Sequence, residues 1–222
     1  MEKTKIKTIF ISLPYPMSIR NILRNPLYDL LSKQYKIVIF TPLFNDELFL
    51  DEFKRDGVFF YPLQFDYVSN FFARVVFKLH RLGDRFHFAT DKKIHGVFMN
   101  RYLYKANLWN ERQTKFVGII FNIFPALNKW MAKFIKKQLN SSYYSKLIEE
   151  YNPSLLFTTH PFMEAENQLL LNAEKFGIRT ISLIHSWDNL TGKGRMHSIP
   201  EQLIVWNEVM KDEAKMLYPE NF

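Results

Sequence analysis

His185-Ser186-Trp187-Asp188-Asn189 is the densest run of proton-handling side chains in this chain of 222 residues. An imidazole titrates near neutrality and can take a proton from a hydroxyl. His185 is therefore the candidate general base, and Asp188 either orients it or acts in its place. Ser186, Trp187 and Asn189 are assigned to substrate binding beside them. The plainer alternative is that His185 closes a strand and hydrogen-bonds its neighbours. His160, in His160-Pro161-Phe162, suits a structural or ligand-positioning role, and Ser12 stands at the end of an earlier apolar run. Arg20 and Asn21 are expected at the start of a helix, where the N-terminus and a guanidinium together hold an anionic group. Against that, exposed arginines are common.

Other chemistries lose their support. Lys193 sits in Leu190-Thr191-Gly192-Lys193-Gly194-Arg195, where two glycines and two cations make at most a loose phosphate grip, and a solvated turn explains them as well. The GxxxxGK[ST] spacing is missing and no GxGxxG follows the first strand, so ATPase and dinucleotide readings fall away. Zero cysteines exclude thiolate metal sites, disulfides and a cysteine nucleophile. His80, His87 and His95 are spaced by seven and eight residues and no HExxH occurs, so neither a metal nor a cofactor is expected.

The elements that must position these groups follow from periodicity. Residues 6 to 13 (IKTIFISL) and 36 to 41 (KIVIFT) are near-continuous apolar runs, as buried parallel strands require. Between them, residues 18 to 34 carry Ile19, Ile22, Leu23, Leu27, Leu30 and Leu31 at helical spacing, with Pro26 expected to delay or kink the helix. Helical residues 46 to 55 and the turn at Asp56-Gly57 lead to a strand at 58 to 63. Strands at 154 to 159 and 180 to 185 flank a helix from about Glu164 to Phe176 that Gly177 stops. A last apolar run at 202 to 206 precedes a helix near Asn207 to Tyr218. The fold class is α/β: a Rossmann-like, doubly wound parallel sheet of six or seven strands, with ligands beyond the carboxyl ends of the strands. Ser12 to Met17, His160 to Phe162 and His185 to Asn189 should then share one rim.

From about 67 to 150 the strand signals stop, and an inserted helical region, basic and rich in aromatics, is expected. Residues 70 to 140 hold fourteen Lys or Arg against Asp84, Asp91 and Glu111, which more than accounts for the net charge of +8. The same stretch contains Phe71, Phe72, Phe77, Phe86, Phe88, Phe98, Tyr102, Tyr104, Trp109, Phe116, Phe121, Phe124, Trp130 and Phe134. Helix packing with solvated lysines competes with a membrane-surface patch, for which Lys129, Lys133, Lys136 and Lys137 beside Trp130 and Phe134 are the best evidence. No nucleic acid is expected, because no recognised binding signature accompanies the charge. Residues 6 to 13 are too short an apolar run for a signal peptide or a membrane span, and Phe116 to Leu127 is also too short to cross a bilayer. A cytoplasmic protein, peripheral on the inner face of the cell membrane, fits these features.

Four segments together carry a family resemblance: His185-Ser186-Trp187-Asp188-Asn189-Leu190-Thr191, Ser18-Ile19-Arg20-Asn21-Ile22-Leu23, Thr158-Thr159-His160-Pro161, and Pro200-Glu201-Gln202-Leu203-Ile204-Val205-Trp206-Asn207 with Glu213-Ala214 in the helix that follows. The chain resembles the N-terminal domain of GT-B-type glycosyltransferases, particularly bacterial surface-carbohydrate biosynthesis proteins. The resemblance implies residues 1 to 222 as one Rossmann-like domain that binds a carbohydrate or lipid-linked acceptor. A C-terminal domain absent from this chain would bind the nucleotide-sugar donor, and the chain is expected to be inactive without it. The alternatives are a non-catalytic membrane-associated binding module and a nucleotide-sugar epimerase-like enzyme.

Overall fold

Leu13, Ile11 and Ile9 alternate with Ser12 and Phe10 along the first strand, and that period of two sends apolar side chains to both faces of the sheet. In the computed structural model, which describes residues 6–66, 71–90, 108–193, 196–219 and 221–222, the strand is β1 (Thr8–Ser12). It is followed by α1 (Pro16–Leu23), α2 (Pro26–Gln34), β2 (Lys36–Thr41), α3 (Glu47–Phe53), β3 (Val58–Pro62), α4 (Phe71–Thr90), α5 (Leu108–Ile123), α6 (Pro125–Gln138), α7 (Ser142–Tyr151), β4 (Pro153–Thr158), α8 (Glu164–Lys175), β5 (Arg179–Leu183), α9 (Asn189–Gly192), β6 (Gln202–Ile204) and α10 (Glu208–Leu217). His95, Phe98, Tyr102, Tyr104, Gly194 and Arg195, together with the side chains of His87, Phe88 and Trp109, lie outside the described residues.

The chain divides into two compact units. The first comprises residues 1–65, 141–185 and 198–204 and carries the sheet, whose six strands are all parallel in the order β3-β2-β1-β4-β5-β6. This is a doubly wound α/β sheet, and the winding reverses between β1 and β4. Ile9, Ile11, Ile37 and Ile39 pack with Ile19, Tyr28, Phe49 and Phe53 of α1 to α3 on one face. Phe10, Val38, Phe40 and Leu156 pack with Tyr144, Ile148, Leu169 and Leu170 of α7 and α8 on the other. Each such side chain, once buried, contributes about 1.5–3 kcal/mol.

Local signals set the boundaries. The single helix expected over 18 to 34 is two, because Pro26 lacks the N–H that would continue the first and Asn25 Oδ1 instead accepts from Leu27 N–H at 3.0 Å to begin the second. Asp46 caps α3 and Ser141 caps α7 in the same way. Gly177, at φ 67°, lets the chain leave α8 for β5 in the left-handed conformation that glycine tolerates best.

The second unit comprises residues 66–140, 186–197 and 205–222 and contains helices only among its described residues. Its α4 packs on α5 and α6. A Cβ added at Gly83 would stand 2.2 Å from the Phe121 ring, and one at Gly118 would stand 2.0 Å from the Phe86 ring, so glycine on each helix accepts a phenylalanine of the other. Phe72, Leu79, Phe116 and Trp130 help line an apolar groove of about 710 Å3 on these helices. Among the described residues, no helix is long and apolar enough to cross a membrane.

Candidate functional site

A hydroxyl relay lies at the carboxyl ends of β1, β4 and β5, where the winding of the sheet reverses. Thr159, one residue beyond β4, is fully buried; its Oγ1 donates to the Ser12 carbonyl and lies within hydrogen-bond distance of Ser18 Oγ, both at 3.0 Å. Ser18 is itself buried in the first turn of α1, with its Oγ 2.8 Å from His185 Nε2. His185 stands two residues past β5 and is half-buried, and that burial lowers its pKa from the ordinary histidine value. A neutral imidazole is the form a general base needs. The Thr158 and Ser182 hydroxyls bond to each other and tie the ends of β4 and β5.

Beneath the relay is a carboxyl group, Glu166. It is the third residue of α8, fully buried, and reaches back to accept N–H from Thr159 at 3.2 Å and from His160 at 2.6 Å. Burial pushes its pKa up to about 7, against the smaller lowering effects of the neighbouring Ser12 hydroxyl and the two amides. Among the described residues the buried Ser12 Oγ has no partner of proper hydrogen-bond geometry, yet its hydroxyl favours the charged form of the Glu166 carboxylate. Tyr15 meets the His160 ring edge-on at 5.1 Å, and Asn167 Nδ2 donates to the Pro161 and Met163 carbonyls, both at 2.9 Å, which fixes the loop that carries His160.

Ser12, His160 and His185, expected on one rim, therefore meet through Ser18, Thr159 and Glu166. Arg20 and Asn21 do not stand at the mouth of a helix: Arg20 lies a full turn inside α1, exposed, with its Nε 3.4 Å from Asn21 Oδ1. Arg20 lines a groove of about 500 Å3 in which Arg24 makes a two-pronged pair with Glu52 at 2.7 and 3.0 Å. Ser186, Trp187, Asp188, Asn189 and Lys193 belong to the second unit. There the Ser186 hydroxyl donates to Asp188 Oδ1 at 2.6 Å, and Asn189 N–H donates to the Ser186 carbonyl at 3.0 Å, which opens α9. Asn189 is buried, whereas Trp187 and Lys193 are exposed.

The sequence reading assigned no role to Glu166, although a glutamate three residues into a helix is the position from which a side chain turns back onto preceding amides. Ser18 and Thr159 lay within the segments that carry the resemblance and had no role of their own. A second polar cluster, His80, Asp84 and His197, forms in the helical unit and is the described set best suited to a cation. No protein-family model matches the sequence, and no match is found among curated proteins or solved structures.

Proposed function

We propose that the chain is the acceptor-binding half of a glycosyltransferase, in which His185 takes the proton of an acceptor hydroxyl as that oxygen attacks the anomeric carbon of a nucleotide sugar and the nucleoside diphosphate leaves. The observation that carries this reading is the 2.8 Å contact between His185 and the buried Ser18 hydroxyl at the reversal of a doubly wound sheet. With Nε2–H given to Ser18, the imidazole keeps the Nδ1 lone pair for a substrate proton. Ser18 is a positioning residue; its complete burial speaks against a nucleophilic role for its hydroxyl. The resemblance to GT-B enzymes supports the reaction class, and it assigns the donor sugar to a second domain. Asp188, Ser186, Trp187 and Asn189 are proposed on the same resemblance to bind the acceptor.

The helical unit supports a second element of the reading, contact with an anionic membrane surface from the cytoplasmic side. Phe116, Phe124 and Trp130 are 67, 59 and 49% exposed, and Lys129, Lys133, Lys136 and Lys137 are exposed on the same α5–α6 pair. Aromatic rings and lysines in alternation suit the headgroup region. The basic, aromatic-rich helices would then bring the chain to the surface where a lipid-linked acceptor resides.

The test is a screen of nucleotide-sugar hydrolysis and transfer to lipid-linked and oligosaccharide acceptors, with and without a donor-binding domain supplied. Transfer that requires the added domain supports the reading. Transfer by the chain without that domain would overturn the division of labour, and epimerised nucleotide sugar as the product would overturn the reaction class.

A further inference from the structure

Histidine and aspartate four residues apart on a helix face the same way, one turn from each other. His80 and Asp84 do so on α4, with His80 Nδ1 3.3 Å from Asp84 Oδ2 and their side chains only 7 and 13% exposed. The His197 ring, from the segment beyond α9, stands 5.8 Å from the His80 ring, and one ligand atom from each of the three residues lies within 4.8 Å of the others. Met196 N–H donates to the Tyr218 hydroxyl at 2.9 Å, which holds the backbone next to His197 in place. His80 and Asp84 are in direct contact, and the His197 imidazole converges on the same point.

We propose that His80, Asp84 and His197 bind a divalent transition ion of the zinc class, which ties α4 to the segment that carries His197. Two imidazole nitrogens and a carboxylate oxygen form a donor set that such ions accept, with bonds of about 2.0–2.2 Å and a fourth position left for water. Donor atoms around a tetrahedral ion lie roughly 3.4 Å apart, so side-chain rotations of about an ångström close the observed cluster onto the metal. Calcium and magnesium suit it poorly, because they select oxygen-rich shells with more carboxylates. The spacing that makes a metal unexpected concerns His80, His87 and His95, seven and eight residues apart, and does not involve His197. His197 is 117 residues from His80 in the sequence and only the fold brings it in.

The experiment is a calorimetric titration of the chelator-stripped full chain with Zn2+, paired with the visible spectrum after Co2+ addition. One ion per chain and the intense absorption of a four-coordinate cobalt site are expected. His197→Gln and Asp84→Asn, both close in size to the native residues, should each weaken binding by at least the roughly 10- to 100-fold that loss of an outer-shell partner costs a metal site, with circular dichroism unchanged. Absence of stoichiometric binding in the native chain would overturn the proposal. Equal affinity in the native chain and both folded variants would overturn it too, by placing the ion on other residues such as His160 or His185.

Discussion

The sheet unit and the helical unit spend the same kind of residue in opposite ways. In the first, Phe10, Phe40, Tyr28 and Tyr144 are fully buried between sheet and helices, and the polar groups Ser12, Ser18, Thr159 and Glu166 are buried at the strand ends. In the second, Gly83 and Gly118 admit Phe121 and Phe86 to the helix contacts, while Phe71, Phe116, Phe124 and Trp130 remain at the surface among lysines. Large aromatics belong inside when a second layer covers them, and those left exposed here are the ones proposed above to meet a membrane surface. The sheet is thus built to be stable and to fix a few polar groups accurately, and the helices to present a surface.

Substitutions can break that comparison. Phe10→Ala should cost about 3–5 kcal/mol of stability through the lost burial and the cavity left behind, whereas Phe116→Ala should change stability by under about 0.5 kcal/mol. Urea denaturation of both variants checks this, and similar losses would remove the distinction. Replacing Lys129, Lys133, Lys136 and Lys137 by Gln should weaken binding to anionic vesicles by about 1 kcal/mol per residue, read by vesicle sedimentation at fixed salt. Unchanged binding would return the lysines to a solvated face.

A smaller effect sharpens the polar side of the comparison. Glu166 has a folded-state pKa of about 7, above its usual 4.5, so it adds stability that is fully present below about pH 4.5 and is lost as pH rises through 7. The span is worth about 3 kcal/mol, and Glu166→Gln should remove this fall from denaturation curves taken across those pH values. His185 runs the other way: its lowered pKa removes stability as pH drops below the ordinary histidine value, and that limb should survive in the Glu166 variant. Gly118→Ala should cost about 1–3 kcal/mol by driving a methyl into the Phe86 ring, measured as a lowered urea midpoint.

Much of the sheet was legible because parallel strands buried on both faces read as unbroken apolar runs. KIVIFT is β2 without a residue's error, and Gly177 ends α8 as expected. Pro26 was recognised as an obstacle to the first helix, but the cap at Asn25 that turns one helix into two depends on a side-chain geometry that spacing alone does not show. Ser12, His160 and His185 could be placed on one rim from strand order, since parallel strands share a carboxyl edge. Glu166 could not, because a charged residue on a helix reads as solvent-facing, and its complete burial follows from two amides some six residues back in the chain. The His80–Asp84–His197 cluster escaped for a related reason: its third member comes from a distant segment.

The most direct test of the central claim is the rate of sugar transfer by His185→Gln in the presence of the donor-binding domain and an acceptor. Loss of a general base predicts a fall of about 10²- to 10⁴-fold with the fold retained, and Ser18→Ala should give a smaller fall together with a shifted pH–rate profile. Native turnover by His185→Gln would contradict the account and leave His185 a strand-end residue held by Ser18.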